Sequence, residues 1–222
     1  MKIILASQGF TTQEIAEATA KLAGKTLNNL NVAIINEAYV TIDTGRDERW
    51  MINELMQLAN YAKGTIAFVN LRAYNTQELI QRFEFADVIY IVGGKQLILP
   101  RLFRETGFDT ILKESAKTKV IFGTSAGANV LGKQIVDTDY WQDQYGSSSE
   151  FLSEPSMGLV DFNILPHFER SDHPRRTRDI LTPLLKDHPF PLYGVTDTQA
   201  VVSDNGQTSF LGGEPVIFGN QH

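Results

Sequence analysis

The sequence predicts an α/β fold of three layers, in which a mostly parallel central sheet carries helices on both faces. In the first part of the chain, short continuous apolar runs alternate with longer amphipathic stretches. This alternation is typical of parallel strands that are buried on both faces and connected by helices. The second part of the chain is predicted to contain mainly short strands. There, Asp204-Asn205-Gly206 indicates a C-terminal β-hairpin, because Asn-Gly accepts positive φ.

The individual elements follow from this alternation. Short apolar runs predict buried strands at residues 3–6, 32–36, 65–69, 88–92 and 120–123. Apolar residues at helical spacing predict helices at 12–23, 47–61, 76–85, 97–104 and 111–116, with Thr11 or Thr12 and Asn75 as N-caps. Further short strands are predicted at 159–166, 192–195, 200–203, 207–211 and 215–218. The polar, serine-rich stretch 137–155 is predicted to be a loop over the sheet.

Composition limits the possible classes of protein. The chain has no internal repeat, low-complexity tract or linker, so residues 1–222 are expected to form a single domain. A net charge of −6 argues against nucleic acid as a partner. Without cysteine there is no disulfide, thiolate zinc site or cysteine nucleophile, and no metal or other cofactor is expected. The apolar run after Met1 is too short for a signal peptide or a membrane span, so a cytoplasmic protein without a membrane partner is expected.

A tight strand-to-helix turn is predicted around Ser125. The apolar run that begins at Val120 ends in Gly-Thr-Ser-Ala-Gly at 123–127, which has the Gly-x-Ser-x-Gly form of a nucleophile elbow. A side chain at Gly123 or Gly127 would strike the strand or the oncoming helix, which explains the glycines. Ser125 is therefore a candidate nucleophile. The alternative is a glycine-rich turn with an exposed serine.

His167 is the candidate base, because a serine nucleophile needs a base and usually an acid that orients it. His167 follows the apolar run 162–166 and is expected at the end of a strand that neighbours the elbow strand. His173 and His188 each precede proline in polar surroundings, and His222 is the last residue. A structural histidine at a strand end is the alternative interpretation of His167.

Two aspartates are candidates for the orienting acid. Asp197 follows the run 192–196 and is expected at a strand end, and functional groups gather at the carboxyl ends of parallel strands. Asp139 lies in the polar stretch after the elbow helix, and that stretch would have to fold back. This placement favours Asp197, and both candidates stay open. For either aspartate the alternative is a solvated turn residue or a helix cap.

The backbone N–H groups of Gly94 and Ala126 are the candidates for binding a developing oxyanion. The apolar run 89–92 ends in Gly93-Gly94, where the lack of side chains allows an N–H to face a substrate. Ala126 follows Ser125 at the start of the predicted helix, where N–H groups stabilise negative charge. A plain Gly-Gly turn is the alternative.

Four motifs occur in the order found in a known family. They are Val-Gly-Gly at 92–94, Gly-Thr-Ser-Ala-Gly-Ala-Asn at 123–129, Asn-Ile-Leu-Pro-His-Phe at 163–168 and Gly-Val-Thr-Asp at 194–197. With them the chain resembles the serine peptidase family of dipeptidase E (the aspartyl dipeptidase) and cyanophycinase. The resemblance implies an α/β fold similar to class I glutamine amidotransferases, with serine in place of their cysteine. It also implies Ser125 as nucleophile, His167 as base and Asp197 as acid.

Some residues of this chain depart from the family pattern. Family members carry glutamate where Asp197 stands, and an alternative assignment within the family uses an aspartate after the elbow helix, here Asp139. The residue after Gly-Gly is often Asn or Asp, and here it is Lys95. Dipeptidase E prefers an N-terminal aspartate, and Arg176 falls nearest the family arginine associated with that carboxylate. A basic, solvated helix start is the alternative for Arg176.

The predicted function is a dipeptidase-like serine exopeptidase that hydrolyses short peptides through an acyl-enzyme, and a homodimer is compatible with the sequence. The nearest alternative is an α/β-hydrolase-type esterase, whose chain order of serine, acid and histidine would be met by Ser125, Asp139 and His167. The alternative of a different class is a non-catalytic binding or sensor domain, because a fold does not decide function.

Overall fold

A computed structural model of the protein describes residues 1–40, 47, 49–137 and 152–219. In chain order its elements are β1 (Lys2–Ala6), α1 (Gln13–Ala23), a 3-10 turn (Leu27–Asn29), β2 (Val32–Ile35), α2 (Glu37–Val40), α3 (Arg49–Tyr61), β3 (Ile66–Phe68), α4 (Thr76–Glu84), β4 (Val88–Ile91), α5 (Ile98–Glu105), α6 (Phe108–Ser115), β5 (Val120–Thr124), α7 (Ala126–Asn129), β6 (Gln134–Asp137), β7 (Leu152–Pro155), β8 (Asn163–Leu165), α8 (Arg178–Leu184), β9 (Leu192–Gly194), β10 (Ala200–Asp204), β11 (Gln207–Leu211) and β12 (Val216–Phe218).

The central sheet has seven strands in the order β11-β10-β1-β5-β4-β2-β3. Along the part of the sheet that runs β1-β5-β4-β2-β3, every neighbouring pair is parallel. On the other side of β1, β10 and then β11 are added in antiparallel pairing. The mostly parallel sheet is therefore confirmed. The hairpin of β10 and β11 is confirmed as well, and its turn residues Asn205 and Gly206 have φ values of 50° and 86°. Positive φ at both central residues is what a type I′ turn requires.

Helices cover both faces of this sheet. Successive residues of β1 belong to different buried clusters, because side chains alternate along a strand. Ile3 packs in a cluster that includes residues of α5 and α6, and Ile4 packs in a cluster that includes residues of α1 and α3. Burial on both faces explains why the parallel strands are continuously apolar.

The helix N-caps agree with the sequence. The Thr12 hydroxyl accepts a hydrogen bond from the Ile15 N–H, and Asn75 forms a reciprocal capping box with Glu78. No helix within the described ranges is long and apolar enough to cross a membrane.

A separate sheet of three strands has the order β12-β9-β8, with β8 parallel to β9. The prediction that the strand before His167 neighbours the elbow strand is therefore wrong. The reason is that β1 and β4 already pair with the two edges of β5, which leaves no edge for β8.

Most observed ends lie within a residue or two of the predicted ones, and three predictions differ by more. The strand predicted at 159–166 is limited to β8. The helix predicted at 111–116 begins earlier, at Phe108, directly after Gly107 with a φ of 71°. The loop predicted at 137–155 is wrong at Asp137 and at 152–155, because β6 and β7 pair there in antiparallel register. β6 begins before that stretch and contains the buried Ile135 and Val136. Residues 138–151 lie outside the described residues.

Candidate active site

Ser125 is the single residue between the end of β5 and the start of α7. Its backbone has φ 51° and ψ −115°, a region that costs a non-glycine residue about 1–3 kcal/mol. The Ser125 N–H donates to the Ala6 carbonyl at the end of β1, and the Ser125 carbonyl accepts from Ala128 and Asn129 in α7, each at 3.0 Å. The neighbouring elements thus hold a strained turn with a half-exposed serine at its tip.

The glycines of the turn are required by close backbone approach. A Cβ at Gly123 would lie 2.3 Å from the Gly127 carbonyl oxygen, and a Cβ at Gly127 would lie 2.0 Å from the Ile91 carbonyl oxygen on β4. The steric reason predicted for these glycines is therefore confirmed. A Cβ at Gly93 would lie 2.9 Å from the Ser125 Cβ, so the Gly-Gly segment after β4 lies directly against Ser125.

His167 follows β8 and reaches Ser125 across the gap between the two sheets. Its Nε2 lies 3.0 Å from Ser125 Oγ. The His167 backbone also has a positive φ, 57°, and its side chain is 12% exposed. Backbone hydrogen bonds fix this turn, including one from the Phe168 N–H to the Val195 carbonyl at 3.0 Å.

Asp197 lies in the turn between β9 and β10 and contacts the other side of the imidazole. Its Oδ1 is 2.6 Å from His167 Nδ1. This short contact assigns the Nδ1 proton to the bond with Asp197 and leaves Nε2 free to accept from Ser125. The Thr11 hydroxyl donates to the Asp197 backbone carbonyl at 2.8 Å and so fixes the turn.

Two further residues contact the Asp197 carboxylate. The Ser7 hydroxyl donates to Oδ1 at 2.7 Å, and Arg170 Nη1 donates to Oδ2 at 3.1 Å. Arg170 Nη1 also lies 2.9 Å from His167 Nδ1, but that nitrogen carries the proton shared with Asp197 and cannot accept a second one. The guanidinium of Arg170 is fixed from its far side by Asp172, at 2.6 and 3.0 Å.

The charges of this cluster favour neutral histidine beside ionised aspartate. Burial lowers the pKa of His167, Asp197 opposes that shift, and Arg170 and Arg176 lower the pKa further. Burial alone would raise the pKa of Asp197, but hydrogen bonds from His167, Ser7 and Arg170 hold it well below its usual range. A neutral imidazole next to a carboxylate is the form that can accept a proton from a serine hydroxyl.

The backbone N–H groups of Gly94 and Ala126 are the predicted donors to a developing oxyanion. Gly94 has a φ of 143°, a conformation that favours glycine. Within the described part of the chain, neither N–H donates a hydrogen bond to another residue. The segment that carries Gly94 is tied to α7, because the buried Asn129 amide donates to Gln96 Oε1.

A buried acid lies behind the turn. Glu54 on α3 is 2% exposed, and the Tyr90 hydroxyl donates to its Oε1 at 2.9 Å. Burial raises the pKa of Glu54 to about 7, although hydrogen bonds from Tyr90 and from Thr124, the residue before Ser125, oppose the shift. The packing under the turn therefore contains a buried pair of titratable groups, Glu54 and Tyr90.

The remaining candidates from the sequence take no part in the direct contacts from Ser125 through His167 to Asp197. Arg176 is 8% exposed, and its Nη1 donates to the Pro166 carbonyl at 2.8 Å, directly before His167. His173 stacks on the His167 ring at 5.2 Å between centroids, whereas His188 bonds locally to the Phe190 carbonyl at 2.8 Å. Asp139 and His222 lie outside the described residues. In the ranges that the structure describes, no group of three His, Asp or Glu residues could hold a metal ion.

The sequence reasoning did not identify Ser7 or Arg170 as parts of the site. Ser7 is the first polar residue after the apolar strand β1, and the carboxyl ends of parallel strands meet at one edge of a sheet. This signal could have identified Ser7. The contacts of Arg170 carry no such signal, because they depend on the fold of an irregular turn.

A family model that spans most of the chain and several similar peptidases identify the family. The model of peptidase family S51 matches residues 3–211. An uncharacterized peptidase from Listeria monocytogenes is 26% identical over 170 residues, which cover 75% of this chain and 77% of that protein. Peptidase E from Haemophilus influenzae is 31% identical over 140 residues, which cover 60% of this chain and 58% of that protein.

The fold is shared with a solved structure, that of a peptidase from an acI-B1 Actinobacterium. The two chains superpose with a TM-score of 0.67 at 19% identity, over 100% of this chain and 95% of the other. Because the family match extends over nearly the whole chain and includes the residues of the serine–histidine contact, the protein is a serine-type peptidase that belongs to peptidase family S51.

Proposed function

We propose that the protein is a dipeptidase-like exopeptidase in which Ser125 is the nucleophile, His167 the base and Asp197 the acid that orients it. One observation carries the proposal, namely the continuous contact from Ser125 Oγ to His167 Nε2 at 3.0 Å and from His167 Nδ1 to Asp197 Oδ1 at 2.6 Å. Both are hydrogen-bond distances. A nucleophile, a base and an orienting carboxylate in this relation can perform acyl transfer.

The chemistry follows from these positions. His167 Nε2 takes the Ser125 hydroxyl proton while Oγ attacks the carbonyl carbon of the peptide bond. The negative charge that forms on the carbonyl oxygen accepts hydrogen bonds from the Gly94 and Ala126 N–H groups. The carbon–nitrogen bond then breaks, the leaving amine takes the proton from His167, and the acyl group stays on Ser125. A water molecule deprotonated by His167 releases the acid product and restores the serine.

The chain order of these residues favours a peptidase of this family over an α/β-hydrolase-type esterase. An α/β-hydrolase places its acid between the serine and the histidine in the sequence. Here the acid that contacts the histidine is Asp197, which follows both Ser125 and His167. The esterase order would require Asp139 as the acid.

The preference for short peptides is supported by the similarity to Peptidase E and by the resemblance to dipeptidase E. The predicted contact of Arg176 with a substrate carboxylate stays a prediction. At 8% exposure, little of the Arg176 side chain is accessible to a substrate. Lys95, which follows Gly94, is exposed and offers a second cation near the site.

Three further expectations concern the protein as a whole and not its active site. We infer that residues 1–222 form a single domain, since β10 and β11 from the end of the chain extend the sheet that begins with β1. A cytoplasmic location stays a prediction, and so does the compatibility of the chain with a homodimer.

The first test is labelling with a fluorophosphonate probe, which reacts with activated serines, followed by a panel of dipeptides read out by mass spectrometry. Wild type is expected to be labelled and to cleave members of the panel. Ser125→Ala is expected to lose labelling and hydrolysis while its stability stays within about 1 kcal/mol of wild type, because the hydroxyl is not part of the core.

Three results would count against the proposal. Residual hydrolysis by Ser125→Ala above roughly a few per cent of wild type would remove Ser125 as the nucleophile. Cleavage of aryl esters without cleavage of any dipeptide would favour the esterase. Wild type that is neither labelled nor active, yet binds peptides, would favour a binding domain.

A further inference from the structure

We propose that Ser7 is a positioning residue of this active site, whose hydroxyl fixes the acid and the base relative to each other. The inference rests on the proposed function and extends it to a residue that none of the sequence motifs contains. Ser7 is fully buried and follows the last residue of β1. Its partners lie 160 and 190 positions away in the sequence, at His167 and Asp197.

Both hydrogen-bonding functions of the Ser7 hydroxyl are used within the site. The hydroxyl donates its only proton to Asp197 Oδ1 at 2.7 Å. Its oxygen accepts from the backbone N–H of His167, also at 2.7 Å. A serine hydroxyl has one donor and can accept in addition, so this one atom connects the carboxylate to the backbone of the residue that the carboxylate orients.

The bond to the His167 backbone supports a conformation that is otherwise unfavourable. His167 has a φ of 57°, and positive φ is uncommon for residues with a Cβ. Such a conformation persists only where its surroundings fix it. The Ser7 oxygen fixes the His167 N–H on one side of the turn, and the Val195 carbonyl fixes the next N–H, that of Phe168.

The position of Ser7 in the fold strengthens the argument. His167 and Asp197 follow strands of the three-stranded sheet, β8 and β9, whereas Ser125 follows β5 of the central sheet. The two sheets must therefore be aligned for the three side chains to meet. The Ala6 carbonyl accepts from the Ser125 N–H at 3.0 Å, and the next residue, Ser7, binds His167 and Asp197. Two consecutive residues at the end of β1 therefore contact the nucleophile, the base and the acid.

A buried hydroxyl with a purely structural role would give a different result on removal. It would change stability without changing the pH dependence of the reaction. Loss of the Ser7 hydroxyl deprives Asp197 Oδ1 of one donor, so the carboxylate interacts more strongly with a protonated His167. The proton affinity of His167 should then rise, while the geometry of the site becomes less well defined.

The experiment measures the second-order rate of fluorophosphonate labelling from pH 5 to 8, with the stability of each variant measured in parallel. Ser7→Ala removes the hydroxyl, and Ser7→Cys replaces it with a somewhat larger thiol that is a weaker donor. Thr19→Val is the matched control, because it deletes another fully buried hydroxyl, one that donates to the Ile15 carbonyl at 2.7 Å within α1.

Ser7→Ala is expected to slow labelling by about tenfold or more, the effect of losing a hydrogen bond to a charged group, and to move the acid-side midpoint to higher pH. Ser7→Cys should fall between Ser7→Ala and wild type. Thr19→Val should stay within about twofold of wild type with an unchanged midpoint.

The proposal is overturned if Ser7→Ala reacts like wild type with the same midpoint, or if Thr19→Val slows the reaction equally. If Ser7→Ala does not fold, a folded Ser7→Cys variant that matches wild type in rate and midpoint overturns it. Failure of the proposed function itself would be recognised separately, since wild type would then show no Ser125-dependent labelling.

Discussion

The two halves of the candidate active site are held in place by different forces. Around Ser125 the close neighbours are backbone atoms, and the turn exists because Gly123 and Gly127 leave no side chain between β4, β5 and α7. Around His167 and Asp197 the close neighbours are hydrogen-bonding and charged groups, chiefly Ser7 and Arg170. The position of the nucleophile is thus determined by excluded volume, and that of the base and the acid by polar contacts.

The comparison indicates how each half should respond to change. We call the surroundings of Ser125, with Gly123 and Gly127, the packed half, and those of His167 and Asp197 the polar half. A substitution in the packed half has to displace backbone, so its main effect should be on the free energy of unfolding. A substitution in the polar half can keep the shape of the site while altering its charges. Its main effect should be on the rate and on its pH dependence.

Among variants of these two halves that keep Ser125, the largest effect is expected for Asp197→Asn. The amide has nearly the shape of the carboxylate, but it can hold the imidazole in the tautomer that carries its proton on Nε2, where it cannot accept from Ser125. Turnover on a cleaved dipeptide should fall by roughly three to four orders of magnitude, as for the loss of an orienting aspartate in other serine enzymes. Steady-state kinetics on that dipeptide would measure the fall.

Asp172→Asn is the matched control for this variant. Asp172 binds the far side of Arg170 at 2.6 and 3.0 Å and makes no contact with His167 in the described structure. Its loss should change turnover only slightly. Asp139→Asn is likewise expected to change turnover only slightly. A large loss of turnover in Asp139→Asn, together with an active Asp197→Asn variant, would make Asp139 rather than Asp197 the orienting acid.

In the packed half, Gly127→Ala should have the larger effect on stability. The new methyl group would lie 2.0 Å from the Ile91 carbonyl oxygen, and neither backbone segment can move without disturbing the sheet. The free energy of unfolding should drop by about 3 kcal/mol or more, the upper end of overpacking costs. Chemical denaturation measures the change.

Gly24→Ala provides the control for the cost of adding a methyl group to a glycine. Gly24 ends α1 with a φ of 69°, and a Cβ there would meet nothing within 4 Å. Only the strain of the left-handed conformation remains, about 1 kcal/mol. Equal losses in Gly127→Ala and Gly24→Ala would contradict the view that excluded volume determines the turn.

The packed half was also the half that the sequence could predict. The motif at 123–127 and the apolar run before it are local, and the steric reason for their glycines follows from the turn itself. The parallel strands could be predicted in the same way, since burial on both faces leaves a continuous apolar run. His167 and Asp197 were found from their positions after apolar runs, although the sheet that carries them was not.

In the polar half, positions after apolar runs are local signals, but no local pattern encodes which of these residues contact one another. Ser7 meets its partners across 160 and 190 residues. Arg170 and Arg176 lie in one basic turn, and the sequence does not show which guanidinium faces Asp197 and which bonds to the Pro166 carbonyl. The β6–β7 pairing was not predicted either. Most of β6 lies just before the polar stretch 137–155 and has only two apolar residues, and β7 lies inside that stretch, so neither strand shows a long apolar run.

The smallest effect is expected for Arg170→Gln, as a shift in the pH midpoint of activity. The direction of that shift tests whether charge contributes to the polar half. The pKa of His167 is lowered by burial and further by the charges of Arg170 and Arg176, against the opposing effect of Asp197. The base works as neutral imidazole, so activity should fall as the pH drops through a midpoint below the usual histidine value of about 6.5. Removing the Arg170 charge should raise the pKa of His167 and move that midpoint to higher pH. Because the Arg170 side chain is 35% exposed, solvent screens its charge, and the shift should stay below about one pH unit.

The profile of kcat/KM against pH reports this midpoint for the free enzyme. Arg178→Gln is the control with the same change in net charge, because Arg178 is exposed at the start of α8 and makes no contact with His167 in the described residues. A profile that moves to higher pH in Arg170→Gln and not in Arg178→Gln would locate the effect in the contact with His167 and Asp197. A midpoint that moves to lower pH would contradict the predicted sign, and one that moves equally in both variants would show that Arg170 acts only through the overall charge of the protein. The polar half would then owe its arrangement to hydrogen bonds without a specific contribution from charge.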